Sequence, residues 1–506
     1  MTGRPRFGGA IATVEGFLLI GQPLVFAGGV ILARFTAVPT PLESLVRPTF
    51  VVVSLAALAL ILLRFLTRSW AMGAMLSSAL VLFSLRELMP AVVVASAAAA
   101  WPLLVVLRRV IHRRPPPRSF LLNMARATGI FGAVYLVVMG LGAARAAVAG
   151  APEMHLPQYE SSGTGGPSIY FLLLDGYPRA DTLAETFGID NRPFLGDLEG
   201  MGFSVSDEAR TNYNKTWLTL ASALNGAYIE DLLGDQEVPM DAPDELRWLE
   251  ALIAEASIPD LLRDRGYVIR TVPSPYRSTS LSTADEVLGG GHLNEFEVKL
   301  ISGSPWTLFF RDEVATFLYE GQAEQVIDSI DETVAAAESR SSQPQFLLSH
   351  IHSPHPPFVL RPTSSPGRPI TAGCFPSCSL WEARIDSLGV TFEDYRAGLA
   401  RQIAALNEML LDAASRIIAV DPTAVIILVS DHGTRYSLDD LPEHYRSFLA
   451  ARTPGFDSLF PRDESPVNIL RRVMAAYFDA DVVPLPYRAW ALDWAYNLRL
   501  TELPAN

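Results

Sequence analysis

Two short apolar runs, far apart in the chain, each end in an acidic residue. The first covers 169–174 (IYFLLL) and ends at Asp175; the second covers 424–430 (AVIILVS) and is followed by Asp431 and His432. Neither run has helical spacing, and such continuous runs are typical of strands buried on both faces of a parallel sheet. Because these sheets bind ligands at the carboxyl ends of their strands, we expect the three polar residues to meet at one sheet edge.

Two carboxylates and one imidazole are a donor set that suits Mn²⁺ or Zn²⁺ and contains more nitrogen than Ca²⁺ prefers. The pattern therefore predicts that Asp175, Asp431 and His432 hold one divalent cation. The alternative for Asp175 alone is that it caps a turn or helix after the strand, which is the usual role of an aspartate there.

A candidate nucleophile lies in the segment 212–222 (NYNKTWLTLAS). A threonine hydroxyl becomes a nucleophile when a metal or a base removes its proton. Bound to the ion, Thr216 would attack phosphorus, while Lys215 would bind substrate and help neutralise the phosphate. Thr216 is also suited to cap a helix, and both roles are compatible because a helix N-terminus favours a nearby phosphate.

Three of the eight histidines of the chain, His350, His352 and His355, lie within six residues of one another. Following a predicted strand, two of them would face the pocket, where they would contact phosphate oxygens or protonate a leaving group. A second metal site is the alternative. No further Asp/His set is visible to complete it, so one ion is favoured.

The first 145 residues contain five apolar stretches that we interpret as membrane segments, near 10–33, 49–66, 69–85, 88–107 and 127–143. Their lengths match the roughly 30 Å core of a bilayer. Ten arginines flank these segments on the side of the N-terminus and four on the opposite side. This bias predicts a cytoplasmic N-terminus and places the chain after Arg145 outside. Glu15 falls within the first segment, where a carboxylate is a functional candidate; the alternative, which we favour, is that it lies near the membrane surface or faces neighbouring helices.

We therefore predict a transmembrane domain over 1–145, a polar linker over 146–166 and a catalytic domain over 167–506, in which strand-like and helical patterns alternate as in an α/β fold. The net charge of −14 argues against a nucleic-acid partner. Cys374 and Cys378 lie close together in a loop-like stretch; they would pair in an oxidising compartment or remain free thiols.

Together these residues resemble the alkaline phosphatase superfamily, specifically its membrane-anchored, sulfatase-like branch, which includes lipoteichoic acid synthases and phosphoethanolamine transferases. The likeness covers roughly 167–480 and extends to the five-helix anchor. It implies an α/β/α domain with a mostly parallel sheet and a threonine nucleophile bound to one divalent cation, Mn or Zn. The residues it assigns are Asp175, Thr216, Asp431 and His432 as metal ligands, and His350 and His355 as phosphate-site histidines. His352 has no counterpart and is placed with Lys215 among substrate-binding residues.

Several features depart from that pattern. The first ligand is Asp175, where the named transferases commonly have Glu. The Cys/Ser-x-Pro-x-Arg motif of true sulfatases is missing at the nucleophile, and so are the many cysteines of the phosphoethanolamine transferases. Gln402, Asn407 and Arg446 lie in or near stretches that look like those of uncharacterised bacterial members. One role for them is to line the pocket; the alternative, which we expect, is a surface or structural role.

The predicted function is metal-dependent transfer of a phospho-headgroup, of the phosphoglycerol or phosphoethanolamine type, from a membrane phospholipid to a glycan or lipid of the cell envelope. The predicted intermediate is a phosphothreonine at Thr216. The enzyme would be a multi-pass protein of the cell membrane with an extracytoplasmic catalytic domain. The alternatives are a membrane-anchored phosphodiesterase, phosphatase or sulfatase-like hydrolase, and a non-catalytic membrane protein with a vestigial fold.

Overall fold

The computed structural model describes residues 16, 20–37, 43–85, 118–148, 153–160, 165–236, 242–276, 279–339, 343–362, 391–434, 441–492 and 498–504. Glu15, the predicted segment 88–107, Cys374 and Cys378 lie outside these ranges. The chain forms two compact units. The first is Met1–Gly150 with Phe296–Val314, and the second is Ala151–Glu295 with Ala315–Asn506.

The first unit begins with helices α1 (Gln22–Ala37), α2 (Glu43–Thr67), α3 (Trp70–Ser84) and α4 (Arg118–Val148). Two stretches, Ser44–Thr67 and Ser119–Arg145, are long and apolar enough to cross a membrane. Two shorter apolar stretches, Gln22–Ala33 and Trp70–Ser84, correspond to the first and third predicted segments. The five-span arrangement is not confirmed by these helices and stays a prediction.

The remaining elements of the described chain follow in order. They are β1 (Ile169–Leu174), α5 (Ala180–Phe187), α6 (Arg192–Gly200), β2 (Ser204–Val205), α7 (Thr216–Asn225), α8 (Ile229–Leu233), α9 (Ala242–Ala254), α10 (Ser257–Asp264), β3 (Val268–Val272), β4 (Glu286–Val287), α11 (Glu295–Ser302), a 3₁₀ turn (Pro305–Leu308), α12 (Arg311–Glu338), β5 (Gln345–Ile351), α13 (Phe392–Val420), β6 (Val425–Ser430), α14 (Leu441–Tyr445), β7 (Leu449–Arg452), α15 (Pro466–Phe478), β8 (Trp490–Leu492) and β9 (Leu500–Glu502).

Seven strands of the second unit form one sheet in the order β2-β7-β6-β1-β5-β3-β4. The five strands from β6 to β4 are parallel, whereas β7 pairs antiparallel with β6 and β2 antiparallel with β7. The predicted α/β class with a mostly parallel sheet is therefore confirmed. The two apolar runs of the sequence are β1 and β6, and they are neighbours at the centre of the sheet.

The side chains of β1 explain its continuous apolar run. Ile169, Phe171 and Leu173 pack in one buried layer with α7, α9, α10 and α15. Tyr170, Leu172 and Leu174 pack in the other with α5, α6, α12 and α13. Since successive strand residues point to opposite faces, helices on both faces of the sheet require apolar residues at every position.

Sequence signals locate several helix ends. The side chain of Thr391 accepts a hydrogen bond from the backbone N–H of Asp394, and the Asp394 side chain bonds back to Thr391, a capping box that starts α13. Gly266 has a φ of +85° just beyond α10, a conformation that glycine adopts readily after the end of a helix. At the other end of α10, Ala256 is the N-cap residue. Ser257 is the first helical residue, and its N–H donates to Asn225 Oδ1 at 2.9 Å.

Candidate metal centre

The ends of three neighbouring parallel strands create the site. In the sheet register, Leu174 at the end of β1 pairs with Ile351 of β5 and with Ser430 of β6. Asp175, His352 and Asp431 each come directly after those three residues. The chain therefore delivers a polar side chain from three different segments to the same buried edge, which is where open α/β sheets bind ligands.

The predicted metal ligands lie together. His432 Nε2 is 3.5 Å from Asp175 Oδ1 and 3.4 Å from Asp431 Oδ2. One possible ligand atom from each of the three residues lies within 4.8 Å of the others, and all three residues are buried. These separations are short enough for one ion to contact all three side chains at metal–ligand distances of about 2.0–2.2 Å.

The tautomer of His432 follows from its neighbour. Its Nδ1 lies 2.7 Å from the backbone carbonyl oxygen of Gly433. Because a carbonyl only accepts hydrogen bonds, Nδ1 carries the proton and Nε2 presents a lone pair towards the two carboxylates. This is the form in which histidine binds metals, with the other ring nitrogen held by a hydrogen bond.

Two oxygen atoms of this cluster lack hydrogen-bond partners among the described residues. They are Asp175 Oδ1 and Asp431 Oδ2, the atoms that face His432 Nε2. Buried carboxylate oxygens are normally paired, because removing them from water without compensation is costly. A divalent cation between them would satisfy both oxygens and the imidazole lone pair, so the residues present fit the predicted metal.

The two carboxylates also perturb each other. Burial raises the pKa of Asp431, and the neighbouring Asp175 carboxylate raises it further, while the nearby Thr216 hydroxyl and the N–H of Gly176 oppose the shift. For Asp175, burial opposes ionisation, but the surrounding imidazoles, led by that of His355, hold its pKa well below the usual range. The pair thus retains a proton on Asp431 up to a higher pH than an isolated aspartate would, and a bound cation would displace that proton.

Backbone donors hold Asp431 in place. Its Oδ1 accepts hydrogen bonds from the N–H groups of Gly176 at 2.9 Å and His432 at 3.0 Å. Its backbone carbonyl accepts from the hydroxyls of Thr211 and Thr219, at 2.8 and 2.9 Å. Gly176 has a φ of +72°, and a Cβ there would lie 3.2 Å from His432 Cε1. Glycine is therefore required for the chain to turn this close to the ligands.

Thr216 and Lys215 begin helix α7. Thr216 is its first residue and is half-buried, and Lys215 is the N-cap residue, with 2% of its surface exposed. The influence of the Thr216 hydroxyl on the Asp431 carboxylate shows that the predicted nucleophile lies beside a predicted ligand. Helix α7 therefore begins beside this cluster, an arrangement that favours an anion because a helix N-terminus carries partial positive charge.

The three clustered histidines line the opposite side of Asp175. His350 Nε2 and His352 Nε2 lie 3.7 and 3.6 Å from Asp175 Oδ2. His355 stacks on His352 with ring centroids 4.9 Å apart. His352, for which the resemblance supplied no role, is thus as close to the first ligand as His350 is. His355 contacts the site through His352, and its imidazole lowers the pKa of Asp175.

Their hydrogen bonds define what these rings offer. The Thr279 hydroxyl donates to the Tyr276 carbonyl at 2.7 Å and lies 2.8 Å from His350 Nδ1, so it accepts from that nitrogen. His350 therefore turns its other ring nitrogen, Nε2, towards Asp175. Burial lowers the pKa of His352 to about 3, so this ring is neutral. Its Nδ1 lies 3.3 Å from Gln322 Nε2, a donor, which leaves the proton on Nε2.

Gln402 holds the chain around the clustered histidines through Ser353 and Leu360. Gln402 is fully buried, with Oε1 accepting from Leu360 N–H at 2.7 Å and Nε2 donating to Ser353 Oγ at 3.0 Å. Asn407 accepts from the Tyr177 hydroxyl at 2.6 Å. Arg446 Nη1 lies 3.8 Å from a carboxylate oxygen of Asp181. These structural roles agree with the expectation; Thr279 and Gln322 carried no local signal.

Among known proteins, no protein-family profile and no curated sequence matches the chain. Solved structures do. The C-terminal periplasmic domain of EcEptC from Escherichia coli, also determined in complex with Zn, has 11% identity and a TM-score of 0.41, covering 70% of this chain and 96% of that domain. Phosphonate monoester hydrolase SpPMH from Silicibacter pomeroyi has 14% identity and a TM-score of 0.39, covering 61% and 72%. A 2-O GAG sulfatase has 12% identity and a TM-score of 0.38, covering 63% and 72%.

At such identities and TM-scores the similarity assigns neither an activity nor a ligand to this chain.

We predict that Asp431→Asn preserves the fold and abolishes metal binding. The amide keeps Oδ1 for the two backbone donors and removes a charge buried beside Asp175, so the metal-free variant should melt at or above the wild-type temperature. Thermal unfolding after chelation, then with added Mn²⁺ or Zn²⁺, measures this. Wild type should gain about 2.7 kcal/mol at a hundredfold excess over Kd, and the variant nothing. An equal gain in both proteins would exclude Asp431 as a ligand.

Metal affinity should depend on pH. Because the pKa of Asp431 is raised, the metal-free site retains a proton up to a higher pH than an ordinary aspartate does, and binding must release it. Below that pKa the association constant should fall about tenfold for each pH unit of acidification, and above it the dependence should flatten. Calorimetric titrations in buffers of different ionisation enthalpy measure both affinity and released protons. A metal affinity that is independent of pH between about 5 and 8 would contradict the retention of a proton on Asp431.

Gln402→Ala should separate stability from metal binding. The substitution leaves the Leu360 N–H without its partner, which should cost about 1–3 kcal/mol of unfolding free energy. Since Gln402 contacts none of the three ligands, the metal affinity of the folded variant should stay within a factor of about three of wild type. Denaturant titration and calorimetry test the two halves. A lost metal site with unchanged stability would show that Gln402 acts on the ligands themselves.

Proposed function

We propose that this chain is a metal-dependent phosphotransferase of the cell membrane, acting on phosphodiesters of phospholipid headgroups through a phosphothreonine at Thr216. One observation carries the proposal. A hydroxyl at a helix N-terminus lies beside two buried carboxylates and an imidazole, and one oxygen of each carboxylate, Asp175 Oδ1 and Asp431 Oδ2, has no hydrogen-bond partner within the described chain. This is the donor set needed to bind a cation and activate an alcohol for attack on phosphorus.

Each group of the site has a role in this reaction. Asp175, Asp431 and His432, with Thr216, would hold a divalent ion, either Mn²⁺ or Zn²⁺, which would lower the pKa of the hydroxyl and stabilise charge on the phosphate. The Thr216 oxygen forms a bond to phosphorus while the ester bond to the departing alcohol breaks. Lys215 and the N-terminus of α7 would neutralise the non-bridging oxygens.

The histidines would act on the other side of the phosphorus. His350 and His355 are proposed to contact phosphate oxygens and to return a proton to the departing alcohol, as general acids do. His352 is neutral because its pKa is lowered to about 3, so it is suited to donate a hydrogen bond from Nε2 and not to carry charge. In the second half of the reaction an acceptor hydroxyl attacks the phosphothreonine and regenerates Thr216.

The nature of donor and acceptor is supported by the anchor. Two helices long and apolar enough to cross a bilayer precede the catalytic unit in the chain. Anchoring confines the enzyme to the surface where phospholipids are concentrated, which raises the effective concentration of a lipid donor. The proposed acceptor is a glycan or lipid of the cell envelope, reached from an extracytoplasmic domain. With water as the acceptor the same residues would make a hydrolase.

The nucleophile can be tested by intact-mass analysis. Incubation of the metal-loaded protein with a phospholipid donor and no acceptor should add the mass of one phospho-headgroup, mapping to Thr216. Thr216→Ala should lose the adduct and at least about 10³-fold in kcat, because its role is covalent. Thr216→Ser, which keeps a hydroxyl, should retain the adduct. Thr501→Ala, at an exposed threonine of β9, is the matched control and should behave as wild type.

If Thr216→Ala turned over the donor as fast as wild type, the nucleophile assignment would be wrong. Product analysis with donor plus acceptor then separates transfer from hydrolysis, since a transferase yields the modified acceptor while a hydrolase yields the free headgroup phosphate. If the protein bound no metal and gave no turnover with any metal added, the non-catalytic alternative would be favoured.

A further inference from the structure

The second stretch of the first unit carries a row of exposed apolar side chains. We call Pro305–Phe310 (PWTLFF) the aromatic turn. Trp306, Leu308, Phe309 and Phe310 are exposed over 54%, 68%, 74% and 50% of their surfaces. Single exposed apolar residues need no explanation, but four within five positions form a patch of the kind that marks an interaction site.

The turn is held in shape by its own backbone. The N–H groups of Phe309 and Phe310 both donate to the Trp306 carbonyl, at 3.0 and 2.8 Å. The Thr307 hydroxyl donates to the Ser304 carbonyl at 2.8 Å, and the Trp306 and Phe310 rings lie 6.5 Å apart. The large side chains are therefore presented outward from a closed 3₁₀ turn, and their exposure is built into the local fold.

Helix α11, which precedes the turn, is fixed to the other helices of the first unit. Phe296 packs in a buried cluster with Phe35, Leu45 and Ala143. Arg47 Nε also lies 2.6 Å from Glu297 Oε1, and its Nη2 contacts the second carboxylate oxygen. The aromatic turn follows α11 after a link of two residues. It is therefore tethered closely to the apolar helices on which α11 packs.

The residues that surround Phe296 also indicate the depth at which α11 lies relative to the bilayer. Phe35 is near the end of α1, Leu45 near the start of α2 and Ala143 near the end of α4. For helices that alternate in direction, these three ends lie on one side. The arginine distribution makes that the outer side, the side on which the chain continues after α4. Helix α11 thus packs at the level where a bilayer meets water.

We propose that the aromatic turn inserts into the outer interfacial layer of the phospholipid bilayer, as a membrane contact separate from the spanning helices. Trp and Phe are the side chains that favour this layer, where ring faces contact acyl chains and the polar edge of Trp contacts headgroups. The exposed side chains of Phe50, Leu55 and Leu62 on α2, in the same unit, also need apolar surroundings, so lipid already has to cover part of this unit. This inference rests on the proposed anchoring of the enzyme in a membrane.

The charges beside the turn specify the kind of lipid surface. Arg311 follows the turn directly, and it is succeeded by the exposed acidic residues Asp312 and Glu313. The flank therefore carries no excess of positive charge, so attraction to anionic lipids does not drive contact. Insertion should be apolar, should occur in a zwitterionic phosphatidylcholine bilayer, and should be insensitive to salt, unlike binding by a basic patch.

Quenching by brominated lipid tests the contact directly. The full chain is placed in phosphatidylcholine nanodiscs with and without bromine on the acyl chains, and Trp fluorescence is compared between wild type, Trp306→Phe and the control Trp248→Phe in the second unit. The quenched component should shrink in Trp306→Phe, remain in Trp248→Phe, and be unchanged between low and high salt. A quenched component that is the same in all three proteins would overturn the proposal.

A second measurement tests its consequence. The double variant Leu308→Glu, Phe309→Glu is compared with Val483→Glu, which alters an exposed apolar side chain of the second unit. The double variant should lose at least fivefold in turnover of a phosphodiester embedded in vesicles and should keep wild-type turnover of a soluble phosphodiester, while the control keeps both. Equal losses on both substrates, or rescue of the loss by a protein partner in place of lipid, would overturn it. If wild type cleaved neither substrate, the proposed function would fail, and the quenching result would still decide the membrane contact.

Discussion

Two buried carboxylates that face the same few ångströms of space are the constraint on which the rest of this structure depends. Asp175 and Asp431 follow strands that pair side by side, and both residues are buried. Like charges in such surroundings repel and lose hydration, which shifts the pKa of Asp431 upward. Folding into this sheet therefore creates a site that either keeps a proton or takes a cation.

The neighbouring residues are arranged to favour the cation. Backbone N–H groups hold one oxygen of Asp431, so that its other oxygen faces Asp175 and His432. The Gly433 carbonyl fixes the His432 tautomer, and the left-handed conformation at Gly176 lets the chain turn without displacing the ring. The same preorganisation that makes the metal-free state costly would be what positions a hydroxyl and a phosphate without further rearrangement.

Part of this arrangement is readable from local sequence patterns, and part of it is not. β1 and β6 are continuous apolar runs because both faces of the sheet are covered, so their positions and the acidic residues after them could be predicted. The order of the strands and their register cannot be read from a single strand. For that reason the proximity of His352 to Asp175, and the support of His350 by Thr279 from another loop, emerged only from the fold.

The association of the stretch 296–314 with the helical unit is another feature that local sequence patterns do not predict. The apolar residues of this stretch are not periodic, and the run is too short to predict a membrane segment. Its association with the helical unit comes from long-range contacts, the ion pair of Arg47 with Glu297 and the packing of Phe296. Helix α12, which follows, is also hard to predict from local sequence, because only part of one of its faces is buried against the sheet layer.

The central claim is that one imidazole and two carboxylates, with the Thr216 hydroxyl, bind a single ion, and X-ray absorption at the metal edge tests it most directly. Extended fine structure of the full chain loaded with one equivalent of Zn²⁺ should fit a shell of oxygen and nitrogen at about 2.0–2.1 Å with multiple scattering from one imidazole. Scattering from two or three imidazoles would place the ion among His350, His352 and His355 and would contradict the account.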